Sequence, residues 1–130
     1  GDAVRYFGPK SLEDIARAIQ DCDVGVIPNR LSAFTEINTP TRIFEYLALG
    51  KPVITPRARG ITDYFGTQDL VFFELGDAGD LAKKLEYVHS HPDEVKEIIK
   101  RGQAIYLAHS WSRERESFMN RVGELLGLRV

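Results

Sequence analysis

The sequence predicts an α/β domain built on a parallel sheet. Three observations carry that prediction. Short apolar runs at Val24–Ile27, Pro52–Thr55 and Leu70–Phe73 are bounded by turn-forming or charged residues, which is how strands covered on both faces read. Helical periodicities separate these runs, and strand–helix–strand alternation builds βαβ units with right-handed crossovers. The second half turns mostly helical, with no internal repeat.

Taken in order, Val4 to Phe7 alternates apolar and polar before Gly8-Pro9 and reads as a strand running into a turn. Ser11, three residues before Asp14, is an N-cap whose oxygen takes up a free backbone N–H. Leu12, Ile15, Ala16 and Ile19 then recur at the spacing of one buried helical face. The strand Val24–Ile27 leads into Asn29–Asn38, which has no period and reads as a loop. A helix over Pro40–Leu49 and a strand over Pro52–Thr55 follow. Arg57–Gly60 is a basic turn, Ile61–Phe65 one helical turn and Leu70–Phe73 a strand. Asp80 is a cap for a helix carrying Leu81, Leu85 and Val88, which ends at His91-Pro92. Pro92 opens the next helix, with Val95, Ile98 and Ile99 on one side. The last helix follows Trp111-Ser112 and carries an apolar stripe of Phe118, Val122, Leu125 and Leu126.

A chain of 130 residues suits one domain with a real core. Hydrophobic content of 43% and charged content of 28% exclude disordered and fibrous classes. A net charge of -2 with interspersed signs gives no footprint for nucleic acid and no polybasic membrane patch. Cys22 is the only cysteine, which excludes an internal disulfide and fits a reducing compartment. No apolar run approaches the ~20 residues of a spanning helix, and the N-terminus lacks the order of a signal peptide. The sequence therefore reads as cytoplasmic, and GDAVRYFG reads as the continuation of a longer chain.

Thr39 to Pro56 concentrates the candidate chemistry. Pro40 fits a first helical turn with Asn38 or Thr39 as N-cap, and Gly50 fits the position past the helix end. Ile43, Phe44, Leu47 and Ala48 fill one arc of roughly 140°, and Glu45 falls about 60° beyond its edge, on the side of Thr41. Arg42 opposes the helix dipole in the first turn, which makes more sense if an anion arrives there. Thr39, Thr41, Arg42 and the nearby backbone are thus candidates for phosphate oxygens, and Glu45 for the two hydroxyls of a ribose diol. The residues alone leave a plainer reading open, in which Arg42 and Glu45 form a solvated i,i+3 pair.

The run Thr39-Pro40-Thr41-Arg42-Ile43-Phe44-Glu45-Tyr46-Leu47-Ala48-Leu49-Gly50-Lys51-Pro52-Val53-Ile54 resembles the donor-binding segment of family 4 retaining glycosyltransferases, approximately P-x-K/R-x-x-E-Y/A-x-A-x-G-x-P-V-I. Val4-Arg5-Tyr6-Phe7-Gly8, Asp23-Val24-Gly25-Val26-Ile27-Pro28 and Ser110-Trp111 resemble that family's glycine entry, its following strand and its tail motif. The resemblance implies the C-terminal, nucleotide-sugar-binding half of a GT-B enzyme, whose two Rossmann-like domains face across a cleft. It implies that Glu45 binds the ribose hydroxyls, that the helix start approaches the diphosphate, and that Phe7-Gly8 lies near the nucleobase. It further implies a nucleotide diphosphate sugar as substrate, no metal cofactor, and an N-terminal acceptor-binding domain supplied by chain not present here. Peripheral membrane association is compatible with the longer enzyme.

The sequence departs from that pattern in two places. Where the family often has a second acid, eight positions before the ribose glutamate, this chain has Ile37; Glu36 lies one place further back and is a candidate contact to the donor sugar. The Arg and Lys that clasp the diphosphate in the family lie upstream of the segment matched by Val4–Gly8. The isolated chain is accordingly expected to bind nucleotide weakly and not to turn over.

Other residues point elsewhere. His89 and His91 lack the ligand set of a zinc site and read as solvated helix-end histidines. His109 reads as structural or exposed, Cys22 as a small core residue, Trp111 as a hydrophobic staple or packing anchor. Arg57 and Arg59 flank a turn and read as solvated charges, with an anion contact as the alternative. Two other classes compete with the glycosyltransferase reading: a non-catalytic nucleotide-sugar sensor or assembly module, and a receiver-like signalling domain. The latter needs an acidic pair after its first strand, whereas Asp21 and Asp23 precede one.

Overall fold

A computed structural model describes residues 3–127. In chain order the elements are α1 (Leu12–Asp21), β1 (Gly25–Val26), α2 (Ala33–Ile37), α3 (Arg42–Ala48), β2 (Val53–Pro56), α4 (Arg59–Thr62), β3 (Val71–Phe73), α5 (Ala78–Ser90), α6 (Pro92–Ala108) and α7 (Trp111–Leu125). The strands form a parallel sheet in the order β1-β2-β3. Gly25 stands opposite Val53, and Ile54 opposite Val71.

The sheet separates two apolar layers, as the period-2 alternation of strand side chains requires. On one face Ile27, Val53 and Phe72 pack with Ile43 and Leu47 of α3, Ile61 of α4 and Phe65. On the other, Ile54, Val71 and Phe73 meet Leu81 and Val88 of α5 and Ile98 of α6. Burying a side chain of this size contributes about 1.5–3 kcal/mol, so the doubly covered strands anchor the fold. β2, central in the sheet, is buried at every position. The predicted α/β architecture with a parallel, helix-flanked sheet and a helical second half is the one observed.

Several boundaries differ from the sequence reading. Val4–Phe7 forms no strand: Val4, Tyr6 and Phe7 stand 84%, 89% and 73% exposed, with no neighbouring strand to pair their backbone groups. Asn29–Asn38 is not a plain loop, because α2 lies within it, started by a capping box in which Ser32 and Thr35 each bond the other's backbone N–H. Five residues are too few to show a period, so only that local capping signal was available. α3 begins at Arg42 with Thr41 at the cap position, not Asn38 or Thr39, and Thr41 makes no side-chain capping bond. Asp77, not Asp80, caps α5 by accepting from Asp80 N (2.9 Å), while the Asp80 carboxylate accepts from Glu74 N (2.8 Å). The stripe on α7 is largely uncovered among the described residues: Phe118, Leu125 and Leu126 are 66%, 82% and 66% exposed, and Val122 is only partly buried. Trp111, 78% exposed, anchors nothing there. Cys22 is half-buried at the end of α1, its thiol donating to Ile19 O, rather than a core residue.

Candidate functional site

The three parallel strands deliver their carboxyl ends to one edge, where β1 leads to Pro28–Leu31, β2 to Arg57–Arg59 and β3 to Glu74–Gly76. Ligands of open α/β sheets collect at such an edge. Every charged candidate except Arg42 and Glu45 lies on these connections or on α2; those two lie on α3, which runs back from the edge.

Ile43 and Leu47 are buried and hold one side of α3 to the sheet, which turns Glu45 toward α1. Glu45 shares a groove of about 270 Å³ with Leu12, Ile15, Ala16 and Ile19 of α1. Its Oε2 lies 2.8 Å from Arg42 Nη1. That oxygen is sealed from solvent yet receives no hydrogen bond, because the guanidinium approaches out of line with its N–H. The contact is therefore electrostatic, and with both side chains more than 40% exposed it stabilises the fold by only a few tenths of a kcal/mol. The plainer reading of Arg42 and Glu45 as an i,i+3 pair describes this geometry, and the pair leaves Glu45 acceptor capacity beside an apolar wall.

Thr39 and Thr41 face a different hollow, of about 410 Å³, shared with Phe44, Tyr64, His109 and Glu114. The Thr39 hydroxyl donates to Gly60 O, tying the segment before α3 to α4. A Cβ at Gly60 would meet the carbonyls of Ile37 and Asn38, so this junction needs glycine. Ile43 and Phe44 bond back to Pro40 O and Thr41 O (3.3 and 3.1 Å), which leaves the amides of Thr41 and Arg42 outside the helical ladder. His109 is not isolated: its Nδ1 lies 2.6 Å from Glu114 Oε1 and its ring meets Tyr64 edge-on at 5.4 Å. A histidine and a glutamate five residues apart across a helix junction carry no recognisable spacing, so the sequence did not announce this pair.

Phe7 and Gly8 line neither hollow. Gly8 takes φ +71, a left-handed conformation that favours glycine, and presents the exposed Phe7 ring just ahead of α1. Gly50, past the end of α3, takes φ +73 as expected of a helix stop. Glu36, Arg57 and Arg59 come together in a third cleft, of about 460 Å³. The candidates thus fall into separate places along one edge, and the structure does not bring Glu36 or Thr39 to Glu45. His91 stacks on Tyr87 at 4.6 Å, and among the described residues no group of histidine, cysteine and carboxylates is placed to hold a metal ion. Among the described residues, no helix is long and apolar enough to cross a membrane.

A parallel sheet flanked by helices is the fold this chain shares with GT-B glycosyltransferases. The chain belongs to the Glycosyl transferase-like family, whose model matches residues 2–120. It is 31% identical over 51 residues to the putative teichuronic acid biosynthesis glycosyltransferase TuaH of Bacillus subtilis, a match that covers 39% of this chain and 13% of that protein. Sucrose-phosphate synthase from Thermosynechococcus elongatus superposes on 98% of the chain with a TM-score of 0.79 at 20% identity. Anabaena HepE, solved with UDP and glucose, superposes on 95% with a TM-score of 0.72, also at 20% identity. The chain spans 31% and 32% of those two structures' chains, so it corresponds to part of each. These structural likenesses concern the fold. A receiver-like domain is not supported: Pro28, Asn29 and Arg30, not an acidic pair, follow β1.

Proposed function

We propose that this domain is the donor-binding half of a retaining family 4 glycosyltransferase, which transfers a hexose from a nucleotide diphosphate sugar without a metal ion. The observation that carries the reading is Glu45, whose sealed and undirected Oε2 stands on a groove wall one turn from Arg42. A ribose diol supplies two O–H donors to that carboxylate. Arg42, held by Glu45 only through a weak out-of-line contact, is released to the diphosphate at a cost of a few tenths of a kcal/mol. The amides of Thr41 and Arg42 lie beside it, and Phe7 offers an exposed ring to the base.

In such a site the departing diphosphate is stabilised by aimed donors and positive charge rather than by a base. Arg42 supplies one such charge. The remaining basic residues and the acceptor-binding domain belong to a longer chain, so this domain alone binds nucleotide weakly and does not turn over. The longer enzyme works in the cytoplasm, free or peripherally attached to a membrane. The UDP held by Anabaena HepE makes a uridine nucleotide the first ligand to test. Calorimetric titration with UDP, GDP and their glucose conjugates, with Glu45→Ala as control, tests the reading. Binding of one nucleotide that weakens in the variant supports it, and silence from all of them contradicts it.

A further inference from the structure

We propose that α7 pairs with α7 of a second copy of this chain, antiparallel, about a two-fold axis that passes beside Phe118. Trp111, Phe118 and Leu125 recur seven residues apart, with Arg115 and Val122 between them. At 3.6 residues per turn these five fill one arc of about 80°. Trp111, Phe118 and Leu125 stand 78%, 66% and 82% exposed, and the buried Gly123 marks a different side of the helix as the one turned to the body. The chain's own core therefore leaves this row uncovered.

The flanks of the stripe choose its occupant. Glu114 and Arg121 border one edge, and Met119 and Leu126, 51% and 66% exposed, border the other. An antiparallel two-fold keeps like flanks together and reverses the helix direction, so residue i meets residue j and j meets i. With the axis midway between Glu114 and Arg121, Glu114 faces Arg121 of the second copy, and Arg121 faces its Glu114. Phe118 then meets its counterpart, and Trp111 packs on Val122 and Leu125 of the second copy. Parallel pairing would instead set Glu114 against Met119 and Arg121 against Leu126, where no charge finds its opposite.

Both charges are available. Arg121 has no ion-pair partner among the described residues. Glu114 holds His109 Nδ1 through Oε1, at 2.6 Å, which leaves Oε2. Arg115 adds an apolar stem along the stripe and a guanidinium for the aromatic faces opposite. A membrane surface fits less well, because Arg113, Arg115 and Arg121 balance Glu114, Glu116 and Glu124, and α7 carries no net attraction to anionic lipid. Trp111 and Phe118 each offer about 150–250 Å². Taken from both copies, with the aliphatic residues beside them, they reach the ~1,000 Å² that a specific interface needs. Arg121, Val122 and Leu125 lie beyond residues 2–120, so the pairing goes beyond what the family match describes.

Sedimentation velocity of the natural protein across the micromolar range, read beside the fluorescence of Trp111, the only tryptophan of this chain, tests the pairing. The expected result is a concentration-dependent dimer whose formation moves the Trp111 emission to shorter wavelength. Phe118→Ser should weaken dimerisation about a hundredfold, because the ring is lost on both sides of the axis. Glu114→Arg or Arg121→Glu alone should weaken it about tenfold, since each sets like charges together. An equimolar mixture of those two variants should restore a mixed dimer. Unfolding curves at dilution, where the parent is monomeric, should match the parent's, since these side chains lie outside the core. A protein that stays monomeric overturns the proposal, and an emission already shifted in that monomer assigns the stripe to another part of a longer chain. A dimer indifferent to the substitutions, or a mixture that associates no better than either variant alone, overturns it as well.

Discussion

Arg42 Nη1 stands 2.8 Å from Glu45 Oε2, and no hydrogen bond lies along that contact. The pair is close enough to neutralise both charges and misaligned enough to part readily. On the proposed donor-binding reading, it is a resting arrangement that diol and diphosphate replace.

Arg42→Ala is accordingly expected to change folding stability by no more than a few tenths of a kcal/mol. Losing a charge-assisted contact to the diphosphate should weaken UDP about tenfold, while uridine binding is unaffected. Parallel calorimetric titrations of UDP and uridine check the difference.

Thr39→Val removes the hydroxyl that donates to Gly60 O and should cost about 1 kcal/mol. Gly60→Ala drives a methyl against two carbonyls and should cost more, about 1–3 kcal/mol. Urea unfolding curves measure both, with Thr39→Ser as the variant that retains the bond.

Burial lifts the Tyr46 phenol above its ordinary value of 10.0, with Arg42 opposing in part. Because the folded value is the higher one, the neutral phenol favours folding; that contribution is complete below pH 10.0 and is lost as pH rises through the folded value. The Tyr87 phenol is raised as well, through its bond to Glu94. Tyr46→Phe should flatten the fall of thermal stability above pH 10.0, and the Tyr87→Phe background isolates its share.

Phe118 and Leu125 of α7 touch no core among the described residues. Phe118→Ser should therefore change stability by no more than about 0.5 kcal/mol, whereas Leu47→Ala, fully buried in α3, should cost about 2–5 kcal/mol. Thermal unfolding of the two variants gives the contrast.

What the sequence disclosed followed the range of its physical signals. Val53–Pro56 and Val71–Phe73 were legible because a strand buried on both faces is a continuous apolar run. α3 was legible because Ile43 and Leu47 share a buried side and Gly50 marks its end. Val4–Phe7 misled because alternation states which faces a strand could offer, not whether a neighbour pairs with it. The stripe on α7 misled likewise: periodicity located an apolar face without saying what covers it. In the candidate site, Glu45 and Arg42 could be placed from helical spacing. The ties from Thr39 to Gly60 and from His109 to Glu114, and the meeting of Glu36 with Arg59 in one cleft, depend on tertiary packing.

The central claim is that Glu45 anchors a ribose diol, and titrating the parent protein and Glu45→Ala with UDP and 2′-deoxy-UDP tests it most directly. The parent should bind UDP about tenfold more tightly than its deoxy analogue, and Glu45→Ala should bind both equally and as weakly as the parent binds the analogue. A variant that still prefers UDP by the parent's margin, or that binds UDP with undiminished affinity, would contradict the account.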